Sequence, residues 1–388
     1  MTVSKAYDLV VVGAGPIGCR VAAEVARAGY QVAILEQKPS LGSPICCTAL
    51  VSEECLGRFN LDRDLIRESF KSATIFAPKK RTISVRRERI QAHALSRPGL
   101  DQWFYLTAAQ QGVEVIFNSR VTAVREESDG VTIRFAQDGL TGDIKARAVV
   151  LATGFGSTLP KGLGLKLAPD WTMGIQAEAV TTGEAEVSTY VGRNYAPGFF
   201  AWLVPTAPGS AHIGLMARRR TKACFEAFLA RLRSEGKVTE STPPVFRGIT
   251  LASMPRTYGN RAMVIGDLAG QVKPITGGGL YFGLLCADIA ARHLATAFDC
   301  DDLSARALSA YDKEWRALLG RELRLGRYAR RAFALIGDRQ LEFLFGVAQR
   351  HALVERLAQH NDIGFDWHGA ALSRALRLFN PFSFKERE

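Results

Sequence analysis

Gly13, Gly15 and Gly18 stand in a GxGxxG spacing between an apolar run, Tyr7 to Val12, and a run of helical periodicity that begins at Pro16. Glycines so placed permit a tight turn, close approach of backbone to a pyrophosphate, and close packing of helix on strand. The amino terminus of the next helix then offers free N–H groups to phosphate oxygens. A second apolar run, Val32 to Leu35, ends at Glu36. A carboxylate there accepts hydrogen bonds from ribose hydroxyls and disfavours a 2′-phosphate, so the pattern predicts a dinucleotide of the FAD or NAD kind.

A second segment decides between the two. Val264 to Gly270 reads as a short strand running into GDLAG, about 250 residues after the first motif, and Lys273 to Gly279 follows with three successive glycines. GDLAG resembles the flavin-contacting segment of glutathione-reductase-like FAD proteins, which implies FAD as cofactor and Gly266 and Asp267 beside its ribityl and phosphate region. Pro274, Gly277, Gly278 and Gly279 open the next predicted helix, so bare amides and a positive dipole end could face the flavin pyrimidine and stabilise an anionic reduced flavin. Ala152 and Gly154 are expected in a turn beside the cofactor. Between them, Thr153 replaces the aspartate usual in aromatic hydroxylases of this superfamily. Arg97, ahead of the Pro98 helix, resembles a flavin-proximal arginine of the wider class.

The resemblance then narrows. GDLAGQVKPITGGGLYFG is similar to the signature of the geranylgeranyl reductase family, flavoproteins that saturate polyprenyl double bonds. Phe200, Trp202 and Pro205 match that family's aromatic, x, Trp, x, Phe, Pro segment, with Val204 in place of the larger apolar residue, and are expected to meet substrate. Gly42 to Cys47 resembles its GxPxxC segment, which brings a cysteine close to the flavin ring and makes Cys47 the expected catalytic residue. The chain departs from the family after Cys47, where Thr48, Ala49 and Leu50 stand in place of glycines. The resemblance implies hydride transfer from reduced FAD to a polyprenyl lipid or prenyl diphosphate. The expected electron donor is NADPH or ferredoxin, with the choice left open because no second GxGxxG marks a nicotinamide site. Two competing readings are an FAD-dependent monooxygenase or halogenase, weakened by Thr153 and Phe200, and a non-catalytic prenyl carrier.

These residues demand a particular scaffold. The expected fold is α/β: a discontinuous Rossmann-like FAD-binding domain (1–71, 92–160 and 255–300), an inserted, mostly antiparallel substrate domain (72–91 and 161–254), and a C-terminal helical region (301–388). Tyr7 to Val12 is almost wholly apolar and rich in valine, as suits a parallel strand buried on both faces. Residues 171 to 249, rich in glycine, proline and aromatics, read as short extended runs. Beyond Leu303 the pattern is helical, with Phe333, Leu335, Leu341, Phe343, Leu344 and Phe345 as expected apolar anchors.

Composition sets outer limits. With 388 residues, 47% hydrophobic and 23% charged, the chain is an ordinary folded protein of more than one domain. No run reaches the roughly 18 apolar residues of a membrane-spanning helix. The amino terminus lacks a leader pattern, so a cytoplasmic location is expected. Seven cysteines and six histidines show no metal-ligand spacing, so no metal is expected. A net charge of +12 favours an acidic partner. Lys79, Lys80, Arg81, Arg86, Arg87 and Arg89 form one basic cluster, and Arg321, Arg324, Arg327, Arg330 and Arg331 recur at helical spacing. With a prenyl substrate, such clusters fit a phosphate head group and peripheral association with an anionic membrane. No recognition motif for nucleic acid accompanies the charge.

Overall fold

Parallel strands built from largely apolar runs form the centre of the first of two units, which comprises Met1–Ile45, Arg97–Trp171 and Gly248–Gly320. The computed structural model describes residues 7–42, 46–79, 81–350 and 364–369. In this unit Tyr7–Val12 lies between Leu140–Leu151 and Val32–Leu35, with Glu114–Ile116 and Ala262–Val264 extending the sheet on either side, all parallel. Tyr7, Val10, Val12, Ala33, Leu35, Val149, Leu151 and Val264 are buried in one core cluster. Leu140–Leu151 does two jobs. Its first part pairs antiparallel with Val131–Gln137, and its second part enters the parallel sheet beside Tyr7–Val12.

The second unit comprises Cys46–Ser96, Thr172–Arg247 and Arg321–Glu388. Its main sheet runs in the order Val238–Ser241, Trp171–Thr181, Ser210–Ala217, Phe200–Ala207, Val187–Val191, Ser72–Phe76, Thr82–Arg86. Only the Val187–Val191 and Ser72–Phe76 pairing on that path is parallel. The mixed α/β class with a mostly antiparallel second sheet is as the sequence implies.

Several particulars differ from the sequence reading. Residues 46–71 and 92–96 fall in the second unit, because Leu50–Val51 and Ile66–Phe70 both pair with Ala92–Leu95 in a small sheet of their own. The 301–388 stretch is not a separate body, since the long helix Ala305–Leu335 contributes to both units. A helix, Thr221–Ser234, interrupts the extended runs and buries Phe225, Phe228 and Leu232. Arg330, one of the five arginines at helical spacing, is buried at 6% exposure with its guanidinium over the Phe199 ring. Of the expected anchors Leu341 and Phe345 are buried, whereas Leu335 and Phe343 are 81% and 70% exposed. Residues 43–45 of the cysteine segment, Lys80, His351 and His360 lie outside the described residues.

Within the first unit, the start of the long helix holds the GDLAG turn. The Tyr311 hydroxyl donates to the Val264 carbonyl at 2.9 Å and accepts from Gln271 Nε2 at 2.8 Å, while Gln271 Oε1 accepts the Gly266 N–H at 2.7 Å. Both side chains are fully buried. The next residue, Asp312, accepts from the Thr257 hydroxyl at 2.6 Å and from Arg316 Nε at 2.6 Å, and Trp315 Nε1 donates to the same hydroxyl at 3.0 Å. Tyr311→Phe strips two buried groups of their partner and is expected to destabilise by about 1–3 kcal/mol. Urea unfolding at an unchanged midpoint would show that this relay does not hold the turn.

Candidate functional site

The glycine loop explains two of its glycines by packing and leaves the third to something else. Gly13 has φ +109°, and a Cβ there would lie 2.7 Å from the Ala152 carbonyl oxygen. A Cβ at Gly18 would collide with the Gly13 carbonyl. Gly15 has ordinary extended backbone, φ −72° and ψ 172°, and a Cβ would meet nothing within 4 Å. It opens the space ahead of helix Pro16–Arg27, whose N-cap makes no side-chain hydrogen bond and whose first turn carries no acid. A helix amino terminus without a side-chain cap, facing open space at Gly15, suits an anionic ligand.

Glu36, 8% exposed at the end of its strand, ties this loop down. Its Oε2 accepts the Ala14 N–H at 2.8 Å and its Oε1 the Lys38 N–H at 2.9 Å. Each oxygen keeps a lone pair for a further donor. Ala152, bonded through its N–H to the Val12 carbonyl at 2.9 Å, backs both Gly13 and Gly18. Thr153 follows against Gly13, and its buried hydroxyl has no hydrogen-bond partner among the described residues. Gly154 turns the chain at φ +70°.

The second motif is brought to the first by a side chain filling the space of two absent ones. Ile17 lies against Gly266 and Gly283, where added Cβ atoms would approach it to 3.4 and 2.7 Å. Arg20 fastens the same helix pair through Asp288 at 2.7 Å. Gly266, Gly270 and Gly277 all have positive φ. Asp267 lies over Gly279, where a Cβ would collide with its carboxylate, and Pro274 and Lys273 are buried below. Gly277, Gly278 and Gly279 precede the helix, which begins at Leu280. Arg97 is the first residue of helix Arg97–Gln110 and pairs with the buried Asp101 one turn on.

In the second unit, Phe200, Trp202 and Val204 share one face of their strand, as alternation requires. The Phe200 and Trp202 rings stand 5.8 Å apart. Trp202 packs beside Phe70, Ala94 and Val204, and its indole crosses the neighbouring strand at Gly214, where a Cβ would lie 2.5 Å from its ring. Pro205 is buried but belongs to the opposite face, so it does not join the two aromatics. His212 faces Val204 directly. Burial lowers its pKa against a raising effect from Glu178, so the ring is neutral at pH 7. Trp202 Nε1 and His212 Nδ1 are both buried with no partner among the described residues. The wall is therefore apolar with two unsatisfied polar atoms. His212 was missed because nothing in its spacing distinguishes it from a core histidine. His93, by contrast, is fully engaged between Ser69 Oγ at 2.8 Å and Glu53 Oε2 at 2.7 Å.

Cys46 and Cys47 are half-buried in the same unit. The Cys47 sulfur accepts the Ala49 N–H at 3.4 Å. Burial, with a smaller raising effect from Cys47 and against a lowering one from Arg247, pushes the Cys46 thiol up to about 12. Ala49 has φ +49°, so the left-handed bend that glycine favours is present although glycine is not.

The fold and the paired glycine segments define a dinucleotide-binding oxidoreductase scaffold. Among solved structures, a geranylgeranyl bacteriochlorophyll reductase-like protein from Thermoplasma acidophilum superposes with a TM-score of 0.86 at 24% identity, covering 98% of each chain. A flavin-dependent brominase shares the fold at 0.69 and 16% identity, over 97% of this chain and 99% of its own. The lycopene cyclase protein family matches residues 8–185. A digeranylgeranylglycerophospholipid reductase from Methanoculleus marisnigri is 30% identical over 363 residues, 87% of this chain and 89% of that protein. Digeranylgeranylglycerophospholipid reductase 2 from Methanothermobacter thermautotrophicus is 29% identical, over 87% of this chain and 90% of its own. The chain belongs to the geranylgeranyl reductase family of FAD-dependent oxidoreductases.

The glycine loop makes a stability prediction that needs no ligand. Gly15→Ala is expected to leave the melting temperature of cofactor-free protein within about 0.5 kcal/mol equivalent. Gly18→Ala, which forces helix and loop apart, is expected to cost about 1–3 kcal/mol. Calorimetry finding both variants equally impaired would remove the distinction.

Proposed function

We propose that this chain binds FAD in the first unit and reduces carbon–carbon double bonds of a polyprenyl lipid. The digeranylgeranyl glycerophospholipids named for its relatives are the leading substrate class. The observation that carries the cofactor assignment is Gly15, a glycine that packing does not require, beside a helix amino terminus and the unpartnered Thr153 hydroxyl. These residues fit a pyrophosphate and its attached ribose. When bound, reduced FAD supplies hydride, and a donor of the NADPH or ferredoxin kind restores its electrons.

The chain's own groups do the rest. The N–H groups of Gly15, Ile17 and Gly18 neutralise phosphate charge, Glu36 accepts ribose hydroxyls and Asp267 accepts hydroxyls of the ribityl chain. Gly277, Gly278 and Gly279 keep side chains away from the flavin edge, and Arg97 and Gly154 belong to the same binding set. Phe200 and Trp202 line the path of the prenyl chain and exclude water, which an unactivated alkene needs if it is to be held in reactive alignment. Cys47 supplies or orients the proton for the second carbon. A substrate of this class resides in a bilayer, so the reading includes reversible association with anionic membrane, supported by the charge of +12. Among the described residues no helix is long and apolar enough to cross a membrane.

Purified protein is expected to carry FAD, with Glu36→Ala and Asp267→Ala raising the dissociation constant by about tenfold or more, the worth of one or two charge-assisted hydrogen bonds. Unchanged constants in both variants would remove those assignments. Under anaerobic conditions the reduced enzyme is expected to be reoxidised by a geranylgeranyl lipid whose mass rises by two hydrogens per bond. A product formed only in air and carrying oxygen would replace this reading with a monooxygenase.

The cysteine makes a separate prediction. Serine retains a polar hydrogen and alanine removes it, so single-turnover alkene reduction is expected to fall far more in Cys47→Ala than in Cys47→Ser, at equal flavin content. Parental rates in both would move the proton source elsewhere.

A further inference from the structure

Leu335 and Phe343, expected as core anchors, instead stand at the corner where helix Ala305–Leu335 meets helix Asp338–Arg350. The core does not need them. Leu341 and Phe345, on the other face of the second helix, already close the cluster around Ala77 and Val191. Leu335, Ile336, Arg339, Gln340, Phe343 and Leu344 together line one open groove. Arg324, Tyr328, Arg331 and Leu335 follow at steps of four, three and four residues, which places them on one helical face. All four are exposed, Tyr328 at 61%.

The charge along residues 321 to 350 is one-sided. Residues 321 to 350 contain seven arginines and three acids. Each acid is engaged with the second unit's own backbone. Glu322 accepts the His368 and Gly369 N–H groups, Asp338 the Arg193 N–H at 2.7 Å, and Glu342 the Lys79 N–H at 2.6 Å. Arg321, Arg324, Arg331, Arg339 and Arg350 are exposed. Arg331 precedes Leu335 by one turn and Arg339, which lines the groove, precedes Phe343 by one turn, so cations flank the apolar pair as in an interfacial anchor, with side chains entering the acyl boundary and guanidiniums at the head groups. A second copy of the chain fits poorly, because a self-complementary contact would set arginines against arginines.

We infer that this helical corner is the membrane-docking surface, with Leu335 and Phe343 inserting into an anionic bilayer and Arg331 and Arg339 holding its head groups. The inference rests on the lipid reading above only for where substrate comes from. Docking itself is measured on vesicles without prenyl substrate.

Flavin-loaded enzyme is expected to float with phosphatidylcholine vesicles containing phosphatidylglycerol and not with phosphatidylcholine alone. Leu335→Ser combined with Phe343→Ser is expected to lower partitioning by about tenfold or more, and Arg331→Gln with Arg339→Gln to lower it several-fold and flatten its salt dependence. In a third variant, Phe343→Trp, added emission is expected to shift to the blue and to be quenched by brominated lipid. This readout holds even if the serine variant folds poorly. Flotation of a folded serine variant equal to the parent, or no bromolipid quenching at position 343, would overturn the assignment. So would a parental dimer in light scattering that the serine variant abolishes. Absence of alkene reduction in detergent-dispersed substrate would count against the proposed reaction and leave docking intact, whereas loss of vesicle binding with reduction preserved would do the reverse.

Discussion

Two helices, Pro16–Arg27 and Leu280–Asp299, can lie as close as they do only because Ile17 occupies the room left by the missing side chains of Gly266 and Gly283. That contact converts two sequence-distant glycine segments into one cradle. Gly18 lets its helix close onto the Gly13 loop, Ala152 backs both, and Glu36 bonds the loop to the neighbouring strand end. A larger residue at 266 or 283 would act at a distance from any ligand, by moving a helix amino terminus whose direction sets where a phosphate can sit.

How much of this the sequence revealed depends on whether the signal was local. The GxGxxG loop, Glu36, GDLAG and the parallel core were legible because spacing and apolar runs are properties of short stretches. Helix Thr221–Ser234 also had a local signal, Phe225, Phe228 and Leu232 at helical spacing, obscured by the extended runs on either side. The pairing of Ala92–Leu95 with Leu50–Val51 was not legible, since alternation cannot name a partner forty residues away. Burial of Arg330 and exposure of Leu335 and Phe343 escaped for a related reason: residue type says what a side chain prefers, and tertiary packing decides whether it is satisfied.

The candidate substrate wall shows the same division. Strand alternation puts Phe200 and Trp202 together and Pro205 across the sheet, which a motif read as a string does not convey. Gly214 is part of the Trp202 position in effect, because the indole lies where its side chain would be. The Cys47 loop makes the converse point. Ala49 adopts a left-handed backbone that glycine enters more easily, so the bend is held by its surroundings rather than by the residue's own preference.

The GDLAG turn is built so that the Gly266 amide hydrogen goes to the Gln271 side chain, itself held by Tyr311. Sheet amides exchange with deuterium when strands separate. The Gly266 amide can exchange when one glutamine rotates, so it is a natural clock for the opening of the turn alone. Its protection relative to Val264, whose N–H is bonded to the Thr257 carbonyl, measures how far the cradle breathes while the sheet beneath it stays shut.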